Sequence, residues 1–255
     1  MTEFIIRRNA VYEALRGSRR DIYSLWVQKD LDTNLINPIL NAAEQRQVPV
    51  KKIDKHKLGN MAQDSRHQGV VLEAGPYQYS ELEEMLTLAK TNEELPLLLL
   101  LDLLHGPQNI GSLLRTAEIC GVHGVILQDR NAPDITPAVT QYSAGATEHL
   151  LIAQVTNLVN SIKQLKENNI WVAGMDITSD AHPLGEIDIN MPLAIVVGHE
   201  GQGLRRLVSK SCDFLIRLPM RGKVDSLNAA VAGSILLYFA WQARDFQGVM
   251  EGEEN

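Results

Sequence analysis

The sequence has only two cysteines and no long hydrophobic segment, and each scarcity excludes a class of protein. Cys120 and Cys212 lie far apart and neither belongs to a C-x-x-C pair, which argues against a disulfide framework or a zinc site and fits a reducing compartment. The longest apolar run, residues 95–104, contains an aspartate and is far too short to cross a bilayer. The first residues lack signal-peptide architecture. We therefore expect a cytoplasmic protein that needs neither a membrane nor a metal ion.

The charges are distributed unevenly along the chain. The formal net charge is −7, yet residues 1–75 hold 12 Lys and Arg against 9 Asp and Glu, whereas residues 76–255 hold 12 against 22. This asymmetry permits a basic face on the front segment. An unevenly charged, solvated surface explains it equally well, so the charge alone does not identify a polyanionic partner.

The order of predicted elements separates a small front domain from a larger back domain. The front segment alternates short helical and strand patterns, in which Asn9 is expected to cap the first helix. The acidic stretch after Gly75-Pro76 reads as a helical linker. We predict the following division: a front domain at 1–75, a linker at 76–94, a back domain at 95–246 and an acidic tail at 247–255.

Longer strand and helix patterns alternate regularly from Leu97 onward. Residues 97–103 are continuously apolar apart from one aspartate, as expected when helices cover both faces of a parallel sheet. Further strands are predicted at 124–127, 150–153, 170–175, 193–197 and 214–218. Helices are predicted at 110–120, 137–143, 157–167, 204–209 and 227–243. The fold class is therefore α/β, with an open parallel sheet whose ligand site lies at the carboxyl ends of the strands.

Three loops that directly follow predicted strands carry the candidate functional residues. In the first, a Gly/Pro-rich turn at 105–108 opens a helix, so its backbone amides are ready for an anion. Asn109 either caps this helix or reaches a ligand, and Arg115 is either a solvated helix residue or a functional one. Neither alternative is decided by this loop alone.

The other two loops lie late in the chain. In the second, residues 198–203, three glycines let the backbone approach a ligand closely, while Glu200 is either a turn carboxylate or a ligand group. Its G-x-x-G-x-G spacing differs from the G-x-G-x-x-G of dinucleotide-binding proteins, and no early copy of that fingerprint occurs. This argues against a dinucleotide-dependent oxidoreductase. In the third, Leu218-Pro-Met leads to Ser226 or Asn228, either of which can cap the last helix.

Taken together and in this order, the three loops resemble the motifs of the SpoU (TrmH-like) family of RNA ribose 2′-O-methyltransferases. The first motif, N-x-G-x-x-x-R, matches Asn109, Gly111 and Arg115. The second, G-x-E-G-x-G, matches Gly198, Glu200, Gly201 and Gly203. The third, [IL]-P-M followed by S-L-N, matches Leu218, Pro219, Met220, Ser226, Leu227 and Asn228. The front segments 8–15 and 67–70 resemble the substrate-binding domain of the ribosomal-RNA guanosine branch.

The resemblance implies a parallel-sheet domain with a trefoil knot, a homodimer, and methyl transfer from S-adenosylmethionine to a guanosine ribose in large-subunit ribosomal RNA. It implies a catalytic set of Arg115, Asn109, Glu200, Ser226 and Asn228. It implies a cofactor set of Gly198, Glu200, Gly201, Leu218, Met220, Ser226 and Leu227. One departure is Gly106, where the family usually has an aspartate. A transfer-RNA substrate and a non-catalytic RNA-binding protein are the alternatives.

The mechanism that the resemblance suggests has one chemically awkward step. The family's first-motif arginine, here Arg115, is often assigned as the general base, but a guanidinium keeps its proton at neutral pH. A charged Arg115 could instead stabilise the developing alkoxide and hold the adjacent phosphate. For RNA contact, basic residues of the front domain are the candidates. They are Arg7, Arg8, Arg19, Arg20 and Arg66, with Lys51, Lys52 and Lys55.

Overall fold

The computed structural model of the chain describes residues 2–129, 134–178 and 180–249. The strands are β1 Glu3–Ile6, β2 Ile22–Gln28, β3 Val50–Ile53, β4 Val70–Ala74, β5 Leu97–Leu101, β6 Gly124–Gln128, β7 Ile152–Val155, β8 Trp171–Met175, β9 His182–Pro183, β10 Leu193–Val197 and β11 Phe214–Arg217. The α-helices are α1 Arg8–Arg16, α2 Asn37–Gln45, α3 Lys55–Ala62, α4 Leu82–Thr91, α5 Pro107–Ile119, α6 Pro137–Tyr142, α7 Leu158–Glu167, α8 Arg206–Ser211 and α9 Ala229–Gln242.

The chain forms two compact units, and the first is built from three stretches of sequence. The front unit comprises Met1–Tyr79, Gly106–Arg115 and Pro133–Leu150, and the back unit comprises the intervening and following residues. Helix α5 therefore belongs to the front unit up to Arg115. The domain boundaries expected from the sequence follow the chain continuously, and they stay a prediction.

A four-stranded mixed sheet is the centre of the front unit. Its order is β1-β4-β2-β3, in which β2 pairs parallel with β3 and antiparallel with β4. Apolar side chains of α1 and α2, such as Leu15 and Ile39, are buried in one cluster with Leu25 of β2 and Leu72 of β4. This burial holds the two helices on one face of the sheet.

The back unit is organised around a seven-stranded parallel sheet, which confirms the predicted fold class. The strand order is β7-β6-β5-β10-β8-β11-β9, and every pair of neighbours is parallel. All five leucines of β5 and all five residues of β10 are buried, because these strands lie in the interior of the sheet. The carboxyl ends of the strands share one edge, and the loops that leave this edge carry the predicted motifs.

Several predicted element boundaries are wrong, and each error has a local cause. Helix α1 begins at Arg8, so Asn9 lies inside the helix and does not cap it. Helix α5 begins at Pro107, three residues earlier than expected, because proline fits the first position of a helix. Asn109 is consequently not the helix cap. Strand β1 was not expected from the sequence.

Within the described part of the chain, none of the helices is both long and apolar enough to span a membrane.

Candidate active site

The loops that follow β8, β10 and β11 meet at the carboxyl edge of the back unit because these strands are neighbours in the sheet. Strand β8 lies between β10 and β11 in the sheet, so the loops that follow these strands leave from adjacent positions. Together they enclose a cavity of about 420 Å³, within the usual range for small-molecule sites. The cavity is lined by Met175, Asp176, Ile177, Thr178, Val197, Gly198, His199, Glu200, Gly201, Gln202, Gly203, Leu218, Met220, Ser226, Leu227, Ala229 and Ala232.

The cavity brings together all the residues that the sequence motifs assign to the cofactor. Gly198, Glu200, Gly201, Leu218, Met220, Ser226 and Leu227 all contribute to its wall. Met175, the last residue of β8, and the segment 176–178 that follows it also line the cavity, and the sequence motifs did not predict them. This segment has no glycine-rich or motif-like sequence. The only available signal was its position directly after a predicted strand.

The second loop has a backbone geometry that requires glycine at its entrance. A Cβ atom on Gly198 would lie 2.5 Å from the carbonyl carbon and oxygen of Gly203, and 2.7 Å from the Leu204 nitrogen. The loop closes on itself, since His199 N donates to Gly203 O at 3.1 Å and Gly203 N donates to His199 O at 2.9 Å. Gly203 has a φ of +64°, which favours glycine. The loop is therefore a tight, closed turn.

The side chain of His199 stabilises the tip of this loop by a hydrogen bond to its backbone. Its Nδ1 accepts a hydrogen bond from Gly201 N at 3.0 Å, so the neutral ring carries its proton on Nε2. Its ring also meets the edge of the His105 ring, with 5.4 Å between the two centroids. The adjacent Glu200 lines the cavity and is half-buried. This arrangement places a carboxylate in a pocket wall whose backbone is held in place.

A buried aspartate ties the end of the second loop to two other strands. Asp102, the residue after β5, is fully buried and accepts from Arg205 N at 2.8 Å and from Arg205 Nε at 2.6 Å. The same guanidinium donates to Gln128 Oε1, at the end of β6, at 2.7 Å. Since Arg205 lies two residues beyond Gly203, this network fixes the loop exit to the carboxyl ends of β5 and β6.

The third loop ends at a well-defined helix cap. Asn228 is the N-cap of α9, and its Oδ1 accepts from Ala230 N at 2.9 Å and from Val231 N at 3.2 Å. The alternative, that Ser226 caps the helix, is wrong, and Ser226 instead lines the cavity. Because the cap fixes where α9 begins, it also fixes the place of Ser226 and Leu227 just before it.

The remaining predicted catalytic residues belong to the front unit. The cavity lining comes entirely from the back unit, and of the predicted catalytic set it includes Glu200 and Ser226 but not Asn228. Asn109 and Arg115 lie on α5, where Asn109 is half-buried and Arg115 is exposed. The glycine between them packs closely within the front unit, as a Cβ on Gly111 would lie 2.6 Å from Tyr142 Cβ.

The arginines predicted to contact RNA differ in their surroundings. Arg7, Arg8 and Arg19 are half-buried, and Arg66 is exposed. The prediction is wrong for Arg20, whose side chain is fully buried. Its Nε donates to Glu148 Oε1 at 3.0 Å, and the guanidinium also contacts Glu3 and several backbone and hydroxyl oxygens.

The described residues contain no group of three or more His, Cys, Asp or Glu side chains arranged to hold a metal ion.

Comparison with known protein families identifies two models that together cover most of the chain. Residues 96–238 match the SpoU rRNA Methylase family. Residues 5–80 match the family described as RNA 2′-O ribose methyltransferase substrate binding. The first match contains all three motif loops.

Similar proteins match most of the length of the chain. A TrmH family tRNA/rRNA methyltransferase of Bacillus subtilis, YacO, is 40% identical over 243 residues, which covers 95% of this chain and 96% of that protein. A TrmH family tRNA/rRNA methyltransferase of Staphylococcus haemolyticus is 41% identical over 240 residues, covering 94% and 95%. Among solved structures, the SpoU methyltransferase AviRb of Streptomyces viridochromogenes, crystallised with the cofactor AdoMet, has the same fold. It aligns with a TM-score of 0.79 and 21% identity over 96% of this chain and 91% of its own.

Proposed function

The chain belongs to the SpoU rRNA methylase family, and from this premise we propose that it methylates the 2′-hydroxyl of a guanosine ribose in large-subunit ribosomal RNA. RNA methyltransferase activity follows from the family itself. The choice of ribosomal RNA, of guanosine and of the individual residues is our proposal. The observation that carries it is the single cavity formed by the loops after β8, β10 and β11, which gathers all the residues that the motifs assign to the methyl donor.

The cavity fits S-adenosylmethionine in size and in the chemistry of its wall. Its glycines leave room for a ligand: a Cβ on Gly203 would meet no atom within 4 Å, and one on Gly201 would meet only the His199 ring, at 3.9 Å. Apolar groups such as Val197 and Leu218 suit an adenine ring, while Asp176 and Glu200 suit hydroxyl and ammonium groups. S-adenosylmethionine supplies a methyl group bound to a positively charged sulfur, which is a good leaving group.

The residues of this chain then have to position a ribose hydroxyl and allow its proton to leave. Positioning supplies much of the rate of an in-line transfer. In our proposal Arg115 stays protonated, holds the phosphate next to the ribose and stabilises negative charge on the oxygen, while the hydroxyl proton is lost to a neighbouring group or to water. In the same proposal Asn109, Glu200 and Ser226 surround the reacting atoms. Asn228 acts through its helix cap as a positioning residue.

We further propose that the protein is a homodimer whose active site is completed across the interface, and that the back domain contains the trefoil knot typical of its family. The front domain, residues 1–75, holds structured RNA through its basic side chains. Arg7, Arg8, Arg19 and Arg66 serve this role in the proposal, and Arg20 does not. A substrate of this kind places the protein in the cytoplasm.

The test is to map ribose methylation in total RNA from cells that lack the protein and from the same cells complemented with it. We expect one 2′-O-methylguanosine of large-subunit ribosomal RNA to disappear in the deletion strain and to return on complementation. Complementation with Arg115→Lys should not restore the site. Loss of a transfer-RNA methylation would favour the alternative substrate, and an unchanged ribose methylation map would refute the proposed activity.

A further inference from the structure

An aromatic side chain and two arginines lie together beside the first-motif helix in the front unit. Tyr142 is the last residue of α6 and is partly exposed. The guanidinium carbon of Arg7 lies 6.0 Å from the centre of the Tyr142 ring, at the outer limit of a cation–π contact. Neither the family motifs nor the mechanism uses Tyr142.

Arg66 is the second cation of this cluster. Its guanidinium forms a bidentate ion pair with the Asp64 carboxylate, in which Nε donates to Oδ1 at 3.0 Å and Nη2 donates to Oδ2 at 2.8 Å. The ion pair with Asp64 raises the pKa of Arg66, and the nearby Tyr142 hydroxyl adds to this effect. The Arg66 side chain is 63% exposed, so it can meet a ligand while Asp64 orients it. An exposed guanidinium whose orientation is fixed by Asp64 is well suited to binding a phosphate.

The backbone around the cluster is held in unusual conformations. Arg7 has a φ of +72° and Gln68 a φ of +55°, both in the region that favours glycine. Gln68 is fixed there by Arg8, which donates from its backbone N to Gln68 Oε1 at 3.0 Å and from Nε to Gln68 O at 3.2 Å. Such strain persists only where surrounding contacts enforce it, and it often marks a binding surface.

Helix α5 connects this cluster to Arg115. A Cβ on Gly111 would lie 2.6 Å from Tyr142 Cβ and 2.8 Å from Ser143 N, so the helix packs directly on the end of α6. Arg115 is four residues after Gly111, on the same face of the helix and one turn, about 6 Å, further along. The backbone of Arg115 therefore lies about 6 Å further along this face of α5 than the point at which Tyr142 packs.

We propose that Tyr142, flanked by Arg7 and Arg66, forms a nucleotide subsite that stacks an unpaired base of the substrate RNA next to the nucleotide held at Arg115. The inference rests on the proposed function and deepens it, because it assigns a place to a neighbour of the methylated residue. Aromatic side chains bind splayed bases of single-stranded RNA by stacking, and guanidinium groups bind the flanking phosphates.

The experiment measures methyl transfer from labelled S-adenosylmethionine to deproteinised RNA from cells that lack the protein. Tyr142→Phe keeps the ring, whereas Tyr142→Leu removes it and keeps the Cβ that contacts Gly111. We expect the phenylalanine variant to have a KM for RNA within about twofold of the wild type. We expect the leucine variant to raise it about tenfold, as loss of one stacked base does. The affinity for S-adenosylmethionine, measured by calorimetry, should be equal in all three proteins.

A matched control comes from a second tyrosine–arginine pair in the same unit. The guanidinium carbon of Arg16 lies 5.2 Å from the centre of the Tyr12 ring on α1. Tyr12→Leu removes an equivalent contact without touching the cluster, so its KM for RNA should equal that of the wild type. A comparable rise in Tyr12→Leu and Tyr142→Leu would show a general folding effect and overturn the subsite.

The arginines give an independent measurement that does not depend on turnover. Arg7→Gln and Arg66→Gln should each reduce the slope of log binding constant against log salt by about 0.7 for a mixed-sequence single-stranded RNA oligonucleotide, while Arg16→Gln should not. A wild-type slope in both cluster variants, or a wild-type KM in Tyr142→Leu, would refute the subsite while leaving the methyltransferase intact. If the wild type methylates no RNA, the proposed function itself fails, and the salt slopes still decide whether the cluster binds RNA.

Discussion

The glycine at the entrance of the second loop offers a sharp test of how the cavity is built. In Gly198→Ala the new Cβ would lie 2.5 Å from the carbonyl group of Gly203 and 2.7 Å from the Leu204 nitrogen. All three contacts are to backbone atoms, which cannot rotate away. Relief therefore requires the turn to open by about 1 Å, measured against an ordinary carbon contact of about 3.5 Å.

The expected magnitude follows from the contacts that the turn would lose. Opening it strains the two hydrogen bonds between His199 and Gly203, each worth about 1 kcal/mol. Overpacking in a tight site costs about 1–3 kcal/mol. If this cost falls on the conformation that binds the methyl donor, the Kd for S-adenosylmethionine rises about 5- to 150-fold. The sheet core is not touched, so the melting temperature should fall by only a few degrees.

Titration calorimetry with S-adenosylmethionine measures this effect, and a second glycine supplies the control. Gly222 lies in the third loop but does not line the cavity, and a Cβ there would meet only Val224 N, at 4.0 Å. Gly222→Ala should bind S-adenosylmethionine like the wild type. Wild-type affinity in Gly198→Ala would refute the reasoning, because the loop would then tolerate a side chain where the geometry allows none.

Three further predictions concern buried polar groups. Arg205→Met should lower the free energy of unfolding, measured with urea, by about 2–4 kcal/mol because it strands the buried Asp102 carboxylate, and adding Asp102→Asn should restore part of that loss. Arg20→Ala should likewise lower the free energy of unfolding by about 3–5 kcal/mol. Normal stability combined with weakened RNA binding would instead show that Arg20 contacts RNA at the surface. Burial lowers the pKa of His67 from 6.5, so the folded state binds fewer protons than the unfolded state and stability is lost as the pH falls below 6.5. The fall in melting temperature from pH 7 to pH 5 should be smaller in His67→Asn, and equal falls would contradict this.

The sequence predicted the parts of the fold that depend on local patterns. The leucine run of β5 identifies a strand buried on both faces, and the glycines at 198–203 identify a turn that approaches a ligand. Pro107 shows the limit of this reasoning. It reads as a loop residue beside Gly106, yet it fits the first position of helix α5 because its missing N–H needs no partner there.

The features that the sequence did not predict depend on contacts between distant segments. The buried state of Arg20 is set by its ion pair with Glu148, 128 residues away, and no local pattern distinguishes Arg20 from the half-buried Arg19 beside it. The loop 176–178 after β8 lines the cavity only because β8 lies between β10 and β11. Strand order in a sheet is a property of the whole chain, and no motif in that loop records it.

The central claim, that the loops after β8, β10 and β11 together hold the methyl donor, is tested most directly by a crystal structure of the protein with S-adenosylmethionine. We predict density for the ligand inside the cavity, in contact with the backbone of residues 198–203 and with the segment from Leu218 to Leu227. Density at any other place on the protein, with this cavity empty, would contradict the account.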